Sequence, residues 1–255
     1  MHRMHSHTLI NKETMMKTLL KLDTSARRTD NSTQSYNSIS KTLSAAFFDK
    51  WMTLNSEDKV IHRDLGLNPP DFISQDWIAA VFTPEEKQTQ VQKDLLSLSD
   101  TLIDELNQAD IIVISSPMYN YGMPAVLKAW FDQVVRINKT FTFDLNRGDF
   151  PIEPIMSGKT LILLSSSGEF GFEIGGVREN MNHLSPHVKT ISHYLGVDEF
   201  HEIASEYQEF SDERHTKSLQ QAHDDIDQLV TTLSKDEHLS KLENLSRSEQ
   251  LEGKV

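Results

Sequence analysis

Residues 111–124, IIVISSPMYNYGMP, decide the fold of this chain. The first four residues form an unbroken run of β-branched apolar side chains, which is typical of a strand covered on both faces of a parallel sheet. A polar turn follows, Pro124 suits the first turn of a helix, and apolar residues then recur at helical spacing through residues 125–136. The turn is rich in hydroxyls and flat side chains and poor in charge. It therefore suits a flat, polar-edged aromatic ligand at the carboxyl end of a strand, where open α/β sheets bind ligands.

Outward from this stretch, strand patterns alternate with helical patterns. Four further segments are predicted as strands: residues 18–22, 59–65, 158–164 and 196–203, of which 59–65 alternates as an edge strand does. Helices are predicted after Ser38, from Thr83–Pro84 to about Asn107, from about Asn180 or Pro186 to Leu195, and from Phe210 onward. This alternation predicts an α/β fold in which a doubly wound, five-stranded parallel sheet in the order 2-1-3-4-5 carries helices on both faces.

Length and composition limit the classes of protein. The chain of 255 residues predicts one domain over residues 17–234, after a disordered leader at 1–16 and before a charged C-terminal tail at 235–255. A formal net charge of −13 argues against nucleic-acid binding. The absence of cysteine excludes disulfides and thiolate chemistry. No apolar stretch has the length of a membrane helix, so a cytoplasmic location without membrane contact is expected.

Residues 116–124, together with the following LKAWFD at 127–132, resemble the flavin-binding segment of the FMN-dependent NADH-azoreductases and NADH:quinone oxidoreductases. These proteins have a flavodoxin-like fold, so the resemblance implies a flavodoxin-like sandwich here. In that family this loop wraps the isoalloxazine ring. The resemblance implies that the ring is held by residues that lie together in the loop: Pro117, Met118, Tyr119, Asn120 and Tyr121. It also implies a homodimer with two flavins near the interface.

A second candidate site lies where a long polar loop, residues 23–37, meets a helix. Helix N-termini offer free N–H groups and a favourable dipole to an anion. Ser25, Ser38 and Ser40 match the serines that hold the FMN phosphate in the resembled family. The alternative is simple helix capping by Ser38. Because this loop is longer than the family's usual version, Ser35 or Asn37 could replace or supplement the expected contacts.

A second loop of small residues, SSSGEFGF at 165–172, ends the strand predicted at 158–164. Glycine and serine allow a ligand ring to lie close to backbone amides. In the resembled family the matching loop contacts the pyrimidine edge of the flavin, so Ser165, Ser166, Ser167 and Gly168 are candidate contacts. The family often has Arg and an extra Gly where this chain has Ser166 and Ser167. The alternative is a loop without ligand contacts.

Three aromatic side chains are candidates for the substrate pocket: Trp77, Phe143 and Phe170. Trp77 belongs to an unusually apolar segment, residues 72–82, which is either a small helix packed on the core or a flap or dimer contact. Phe143 lies in a short hairpin arm predicted at residues 139–144, where a packed aromatic is the alternative. No metal site is expected, because Pro186 separates His183 from His187 and no glutamate accompanies them.

The resemblance implies an FMN-dependent NAD(P)H oxidoreductase. NADH or NADPH would pass a hydride to flavin N5, and a quinone or azo compound would then be reduced at the same place in a ping-pong cycle. No catalytic side chain is expected, because the cofactor carries the chemistry. One alternative is a non-enzymatic electron carrier like flavodoxin, although the apolar segment at 72–82 argues against it. The other is a flavin-free regulatory or interaction domain on the same fold.

Overall fold

The structure, a computed structural model, describes residues 16–252, with the backbone alone for residues 236–252. The leader predicted at residues 1–16 therefore lies almost wholly outside the described residues. The strands are β1 (Thr18–Asp23), β2 (Lys59–Asp64), β3 (Ile111–Pro117), β4 (Phe141–Phe143), β5 (Ile152–Pro154), β6 (Lys159–Ser166) and β7 (Val197–Ser205). The helices are α1 (Ile39–Leu54), α2 (Gln75–Val81), α3 (Gln90–Gln108), α4 (Ala125–Val134), α5 (Ser185–Ser192) and α6 (Glu213–Glu252).

Five strands form a parallel sheet in the order β2-β1-β3-β6-β7, with helices on both faces. The predicted α/β sheet with its edge strand at residues 59–65 is therefore present. Numbered over all seven strands, the order is 2-1-3-6-7 rather than 2-1-3-4-5, because β4 and β5 intervene between the third and fourth strands of the sheet. They pair with each other as a separate antiparallel hairpin, which contains the arm predicted at residues 139–144.

The central strand β3 is buried on both faces, as its apolar run predicts. Ile112 and Ile114 pack into a core with α3, α4 and α5, whereas Ile111 and Val113 pack into a second core with α1 and α6. The largest side chains of the two cores are Trp130 and Phe131 in the first and Phe47 and Trp51 in the second. The two cores cover the two faces of the sheet, in which the carboxyl ends of β1, β3 and β6 lie side by side.

The start predicted for the long helix is wrong. The helix begins at Gln90 rather than at Thr83–Pro84, because Thr89 and Gln92 form a reciprocal capping box that satisfies free N–H groups at that point. The apolar spacing also predicts that Val91 and Leu95 face inward, and this is wrong: they are 69% and 39% exposed, whereas Leu96 is buried against Trp77 and Ala80. Gln88 holds the preceding turn by donating to the carbonyl oxygens of Ala80 and Thr83, at 3.1 Å each.

The ends of two other helices compare with the predicted boundaries as follows. Helix α5 begins at Ser185, next to the later of its two predicted starts, and continues as a 3₁₀ turn to Leu195, the predicted end. Helix α6 begins at Glu213 and runs to Glu252, so that its backbone includes most of the segment predicted as a charged tail. Within residues 16–252, no helix is both long enough and apolar enough to cross a membrane.

Candidate active site

Three loops meet at the carboxyl edge of the sheet. They follow β1, β3 and β6, which are neighbours in the sheet, with Asp23 paired to Ser115 and Ser116 paired to Ser165. We name them the β1 loop (residues 24–38), the β3 loop (118–124) and the β6 loop (167–172). A crevice at the carboxyl ends of parallel strands is the usual ligand site of such a sheet. The topology therefore brings together all three segments in which the sequence analysis places cofactor contacts.

The β3 loop is a tight turn fixed by backbone hydrogen bonds. The N–H of Met118 donates to the carbonyl oxygen of Ser166 at 2.8 Å, which ties this loop to the end of β6. Tyr119 and Gly122 exchange two backbone bonds of 2.9 and 3.0 Å. The two residues between them, Asn120 and Tyr121, have φ angles of 48° and 66°. A left-handed tyrosine carries strain of about 1–3 kcal/mol, of the kind that concentrates at ligand sites.

Side chains of the β3 loop reach both neighbouring loops. The hydroxyl oxygen of Tyr119 accepts the N–H of Ala26 in the β1 loop at 3.4 Å. The hydroxyl of Tyr121 is hydrogen-bonded to the carboxylate of Glu169 in the β6 loop, and this bond, with the negative charge, raises the pKa of Tyr121. The Tyr121 ring also lies 6.3 Å from the ring of Phe172. Two half-exposed tyrosines thus bridge the three loops and offer flat faces at the crevice.

The three serines predicted for the phosphate are all buried, Ser38 and Ser40 at the start of α1 and Ser25 in the β1 loop just after β1. Ser25 is 1% exposed, Ser38 is 3% exposed and Ser40 is fully buried. The hydroxyl oxygen of Ser38 accepts the N–H of Lys41 at 3.3 Å, so Ser38 does cap α1, and it lies 3.3 Å from the hydroxyl of Ser40. Of the other candidates, Asn37 accepts two bonds from Asn31 at 2.9 Å and holds the β1 loop, whereas Ser35 lies exposed in a 3₁₀ turn.

The chemistry of this donor set fits a phosphate group. The hydroxyls of Ser38 and Ser40 lie together beside a helix N-terminus whose first turn contains no acidic residue, and the hydroxyl of Ser25 accepts the N–H of Arg27 at 3.1 Å in the β1 loop. Among the described residues, no acceptor meets the N–H groups of Ile39 and Ser40. Hydroxyls and free N–H groups at a helix start are the donors that phosphate-binding sites use. Lys41 is engaged elsewhere, since its ammonium group pairs with Asp64 at 2.7 Å.

The four residues predicted for the pyrimidine edge lie at the end of β6 and the start of the β6 loop. Ser165 and Ser166 are the last buried residues of β6, and Ser167 is also buried. The hydroxyl of Ser167 donates to the carbonyl oxygen of Glu169 at 2.9 Å, and its N–H donates to Ser205 at 2.9 Å. At Gly168, a Cβ atom would lie 2.7 Å from the side chain of Glu209.

The three aromatic pocket candidates have different surroundings. Trp77 is 7% exposed and packs with Ala80 and Leu96 in a small cluster of its own. Phe143 on β4 is 49% exposed. Phe170 stacks on Tyr207 with ring centroids 4.5 Å apart, and the guanidinium of Arg178 lies 4.6 Å from the Phe170 ring centroid. Phe170 is therefore part of a packed stack, whereas Phe143 presents an open face on the β4–β5 hairpin.

Asp23, at the end of β1, is a site-adjacent residue that the sequence analysis does not single out. Burial raises the pKa of this carboxyl group, but the hydrogen bond to His62, the charge of Lys21 and the hydroxyl of Ser115 outweigh burial and leave the pKa below its ordinary value. The Ser115 hydroxyl donates to Asp23 at 2.6 Å, and Nε2 of His62 lies 2.8 Å from the other carboxylate oxygen. The pair Asp23–Ser115 joins the two strands that carry the β1 and β3 loops.

Glu169, Arg178 and Glu206 are further residues at this edge without a sequence signal. Arg178 forms an ion pair with Glu169 at 3.1 Å and donates to the carbonyl oxygen of Phe170 at 3.1 Å. Glu206 accepts from the β6 loop across 35 residues of chain. None of these contacts follows a helical or strand period, so no local pattern predicts them.

The fold and its strand-end loops define a flavodoxin-like protein, and a family model described as the flavodoxin-like fold matches residues 30–230. The FMN-dependent NADH:quinone oxidoreductase 2 of Colwellia psychrerythraea (strain 34H / ATCC BAA-681) is 78% identical over 218 residues, covering 86% of this chain and 100% of that protein. A protein of the same name from Idiomarina loihiensis is 58% identical over 234 residues, covering 92% of this chain and 96% of the relative. The chain therefore belongs to the FMN-dependent NADH:quinone oxidoreductase family, as the resemblance in the β3 loop predicts.

A solved structure gives the same fold. The FMN-dependent NADH-azoreductase from Bacillus anthracis str. Ames Ancestor, in complex with FMN, matches with a TM-score of 0.73, covering 86% of this chain and 100% of that one. The two sequences are 16% identical, so this likeness concerns the fold alone.

Proposed function

We propose that this protein is an FMN-dependent oxidoreductase that takes electrons from NADH, or from NADPH, and reduces quinones and azo compounds. The observation that carries the proposal is the meeting of a serine-lined helix start with two amide-rich strand-end loops at one edge of the sheet. The 78% identity to a relative named as an FMN-dependent NADH:quinone oxidoreductase supports it. The tyrosine faces of the β3 loop suit a flat cofactor.

The residues at this edge divide into two groups by what they would hold. Ser25, Ser38 and Ser40, with the N–H groups at the start of α1, would hold the phosphate of FMN. The flavin ring would be held by Pro117, Met118, Tyr119, Asn120 and Tyr121 from β3 and its loop, and by Ser165, Ser166, Ser167 and Gly168 from β6 and its loop. FMN would supply hydride acceptance and donation at N5, serving the nicotinamide and then the acceptor in a ping-pong order.

The residues of the chain would position the cofactor and its substrates and would exclude water, since no side chain is needed as a nucleophile. The bonds of Tyr119 to the β1 loop and of Tyr121 to the β6 loop hold the three loops in one arrangement before any ligand binds. Such pre-organisation lowers the cost of binding, because less freedom is lost. Phe143 and Phe170 would line the space in which a quinone or azo acceptor lies, whereas Trp77 is buried against Ala80 and Leu96 and would not reach it.

A homodimer is part of the proposal. Phe72, Phe82 and Val91, around α2 and the start of α3, are large apolar side chains that lie exposed on the single chain. Exposed apolar surface of this kind marks an interaction site, and a second copy of the chain would cover it. A cytoplasmic location accords with the absence of cysteine.

A visible spectrum of the purified protein, taken before and after anaerobic addition of NADH, tests the function. We expect a flavin spectrum that NADH bleaches and that a quinone restores. A protein that binds FMN and is not bleached by NADH would be an electron carrier, and one that does not bind FMN would refute the assignment. Riboflavin, which lacks the phosphate of FMN, serves as the control ligand in binding measurements.

A further inference from the structure

The β6 loop is held from behind by a second loop, residues 205–210 between β7 and α6, which we name the brace loop. Four backbone hydrogen bonds of 2.9–3.2 Å join them: Ser167 to Ser205, Gln208 to Ser167, Glu209 to Gly168, and Tyr207 to Glu169. The stacked rings of Phe170 and Tyr207 add an apolar contact between the same two loops. The conformation of the β6 loop is therefore imposed by a segment about 40 residues further along the chain.

Glu206 makes the charged contact between the two loops. One oxygen of its carboxylate accepts the N–H of Gly171 at 3.0 Å and the N–H of Phe172 at 3.3 Å. Its own N–H donates to the hydroxyl of Ser218 at 2.9 Å, and its carbonyl oxygen lies 2.9 Å from Nδ1 of His215. Hydrogen bonds to an ionised acceptor are stronger than neutral ones. Glu206 thus fixes the C-terminal half of the β6 loop to the start of α6.

These bonds divide the N–H groups of the β6 loop into two sets. Those of Gly171 and Phe172 are taken by Glu206. Among the described residues, no acceptor meets the N–H groups of Gly168, Glu169 and Phe170, which are therefore left for a ligand. Glu206 therefore takes the N–H groups at one end of the β6 loop and none at the other.

We propose that Glu206 is a positioning residue, which orients the β6 loop toward the flavin and places a negative charge behind it. This inference rests on the proposed function. Its first consequence is on affinity, because a loop with two unpaired N–H groups would lose its arrangement. The second is on the reduction potential of the bound flavin. Reduced flavin gains negative charge near its pyrimidine edge, and a carboxylate behind the loop opposes that charge.

Two variants separate the two consequences. Glu206→Ala removes both the acceptor and the charge, whereas Glu206→Gln keeps an oxygen acceptor and removes only the charge. Glu199→Gln is the matched control, since Glu199 lies on β7, the strand that precedes Glu206, with a side chain 63% exposed. The measurements are the Kd for FMN, by quenching of flavin fluorescence on titration into apoprotein, and the midpoint potential of the bound flavin, by anaerobic dye titration.

We expect Glu206→Ala to raise the Kd for FMN by about tenfold, the loss that accompanies removal of a charged hydrogen-bond partner. Glu206→Gln is expected to restore affinity and to shift the midpoint potential to a more positive value, while Glu199→Gln changes neither. If circular dichroism shows that Glu206→Ala does not fold, Glu206→Gln still tests the inference. If the midpoint potential of Glu206→Gln equals that of Glu199→Gln, the inference is overturned, while the proposed function stands. A wild-type protein without affinity for FMN overturns both.

Discussion

Gly66, just after β2, allows the part of the β1 loop that is proposed to bind phosphate to lie where it does. A Cβ atom built at this position would come within 1.9 Å of the carbonyl oxygen of Ser25 and 2.5 Å of its carbonyl carbon. Ordinary contact begins at 3.4 Å, so Gly66→Ala must push the backbone at Ser25 away by about 1.5 Å. The obstructing atoms belong to backbone, which cannot rotate aside as a flexible side chain can.

The size of the effect follows from that displacement. Overpacking of this kind costs about 1–3 kcal/mol of folding free energy, which lowers the Tm of a domain of this size by roughly 2–10 °C. The larger effect is on ligand binding, because Ser25 moves out of register with Ser38 and Ser40. Loss of one charged hydrogen bond to phosphate is worth about 1.5–3 kcal/mol, so the Kd for FMN should rise by about 10- to 100-fold.

The assay is fluorescence titration of apoprotein with FMN and, separately, with riboflavin. Since only FMN has the phosphate, Gly66→Ala should weaken FMN binding and leave riboflavin binding close to that of the wild type. The control is Gly196→Ala. Gly196 lies just before the amino end of β7, at the opposite end of the strands from the serines, and a Cβ atom there would lie 2.5 Å from Met156. That variant should lose stability and keep the ratio of FMN to riboflavin affinity.

Two results would refute the reasoning. If folded Gly66→Ala bound FMN as tightly as the wild type, Ser25 would not contribute to the phosphate site. If riboflavin affinity fell by the same factor as FMN affinity, the variant would be disturbing the ring site or the whole fold.

Two further variants test the helix start and the Asp23 cluster. Ser38→Ala should lose about 1 kcal/mol of stability with the helix cap and should also lose FMN affinity, whereas Ser38→Asp should restore the cap but repel the phosphate, so that stability returns in urea denaturation and affinity does not. A Ser38→Asp protein with normal FMN affinity would place the phosphate elsewhere. The pKa of Asp23 is lowered in the folded protein, so the ionised carboxylate of Asp23 contributes to the free energy of unfolding. This contribution is fully present above the unfolded pKa of about 3.9 and is lost as the pH falls through the lower, folded pKa. The stability difference between wild type and Asp23→Asn should therefore be largest near neutral pH and shrink below about pH 4, and a difference that stays constant across urea titrations from pH 3 to 7 would contradict this.

Local sequence determined the layout of the sheet. An unbroken apolar run at residues 111–114 can be satisfied only by cover on both faces, and the structure gives β3 that cover from two separate cores. Turn residues after the runs at 18–22, 111–114 and 158–164 placed the ends of β1, β3 and β6. Because parallel strands share a direction, these ends must meet at one edge, so the location of the candidate site followed from the order of elements.

Competing local signals were not resolved by the sequence. Thr83–Pro84 predicts a helix start, but in the structure the capping box of Thr89 and Gln92 begins α3, and Gln88 holds the turn before it. Tertiary packing decides which side of α3 is buried: Leu96 packs with Trp77 and Ala80, whereas Val91 and Leu95 lie exposed. The sequence leaves Trp77 either packed on the core or in a flap or dimer contact, and in the structure it packs against Leu96.

The sequence by itself therefore determined the class of fold and the three strand-end loops, since strand burial and helix starts depend on residues close together in the chain. Tertiary structure alone decided how those loops are held: the bonds of Glu206 to Gly171 and of Tyr119 to Ala26 join residues 35 and 93 positions apart. A hydrogen bond of that span requires both segments to be already placed by the sheet and the two cores. Its partners therefore cannot be read from any local period.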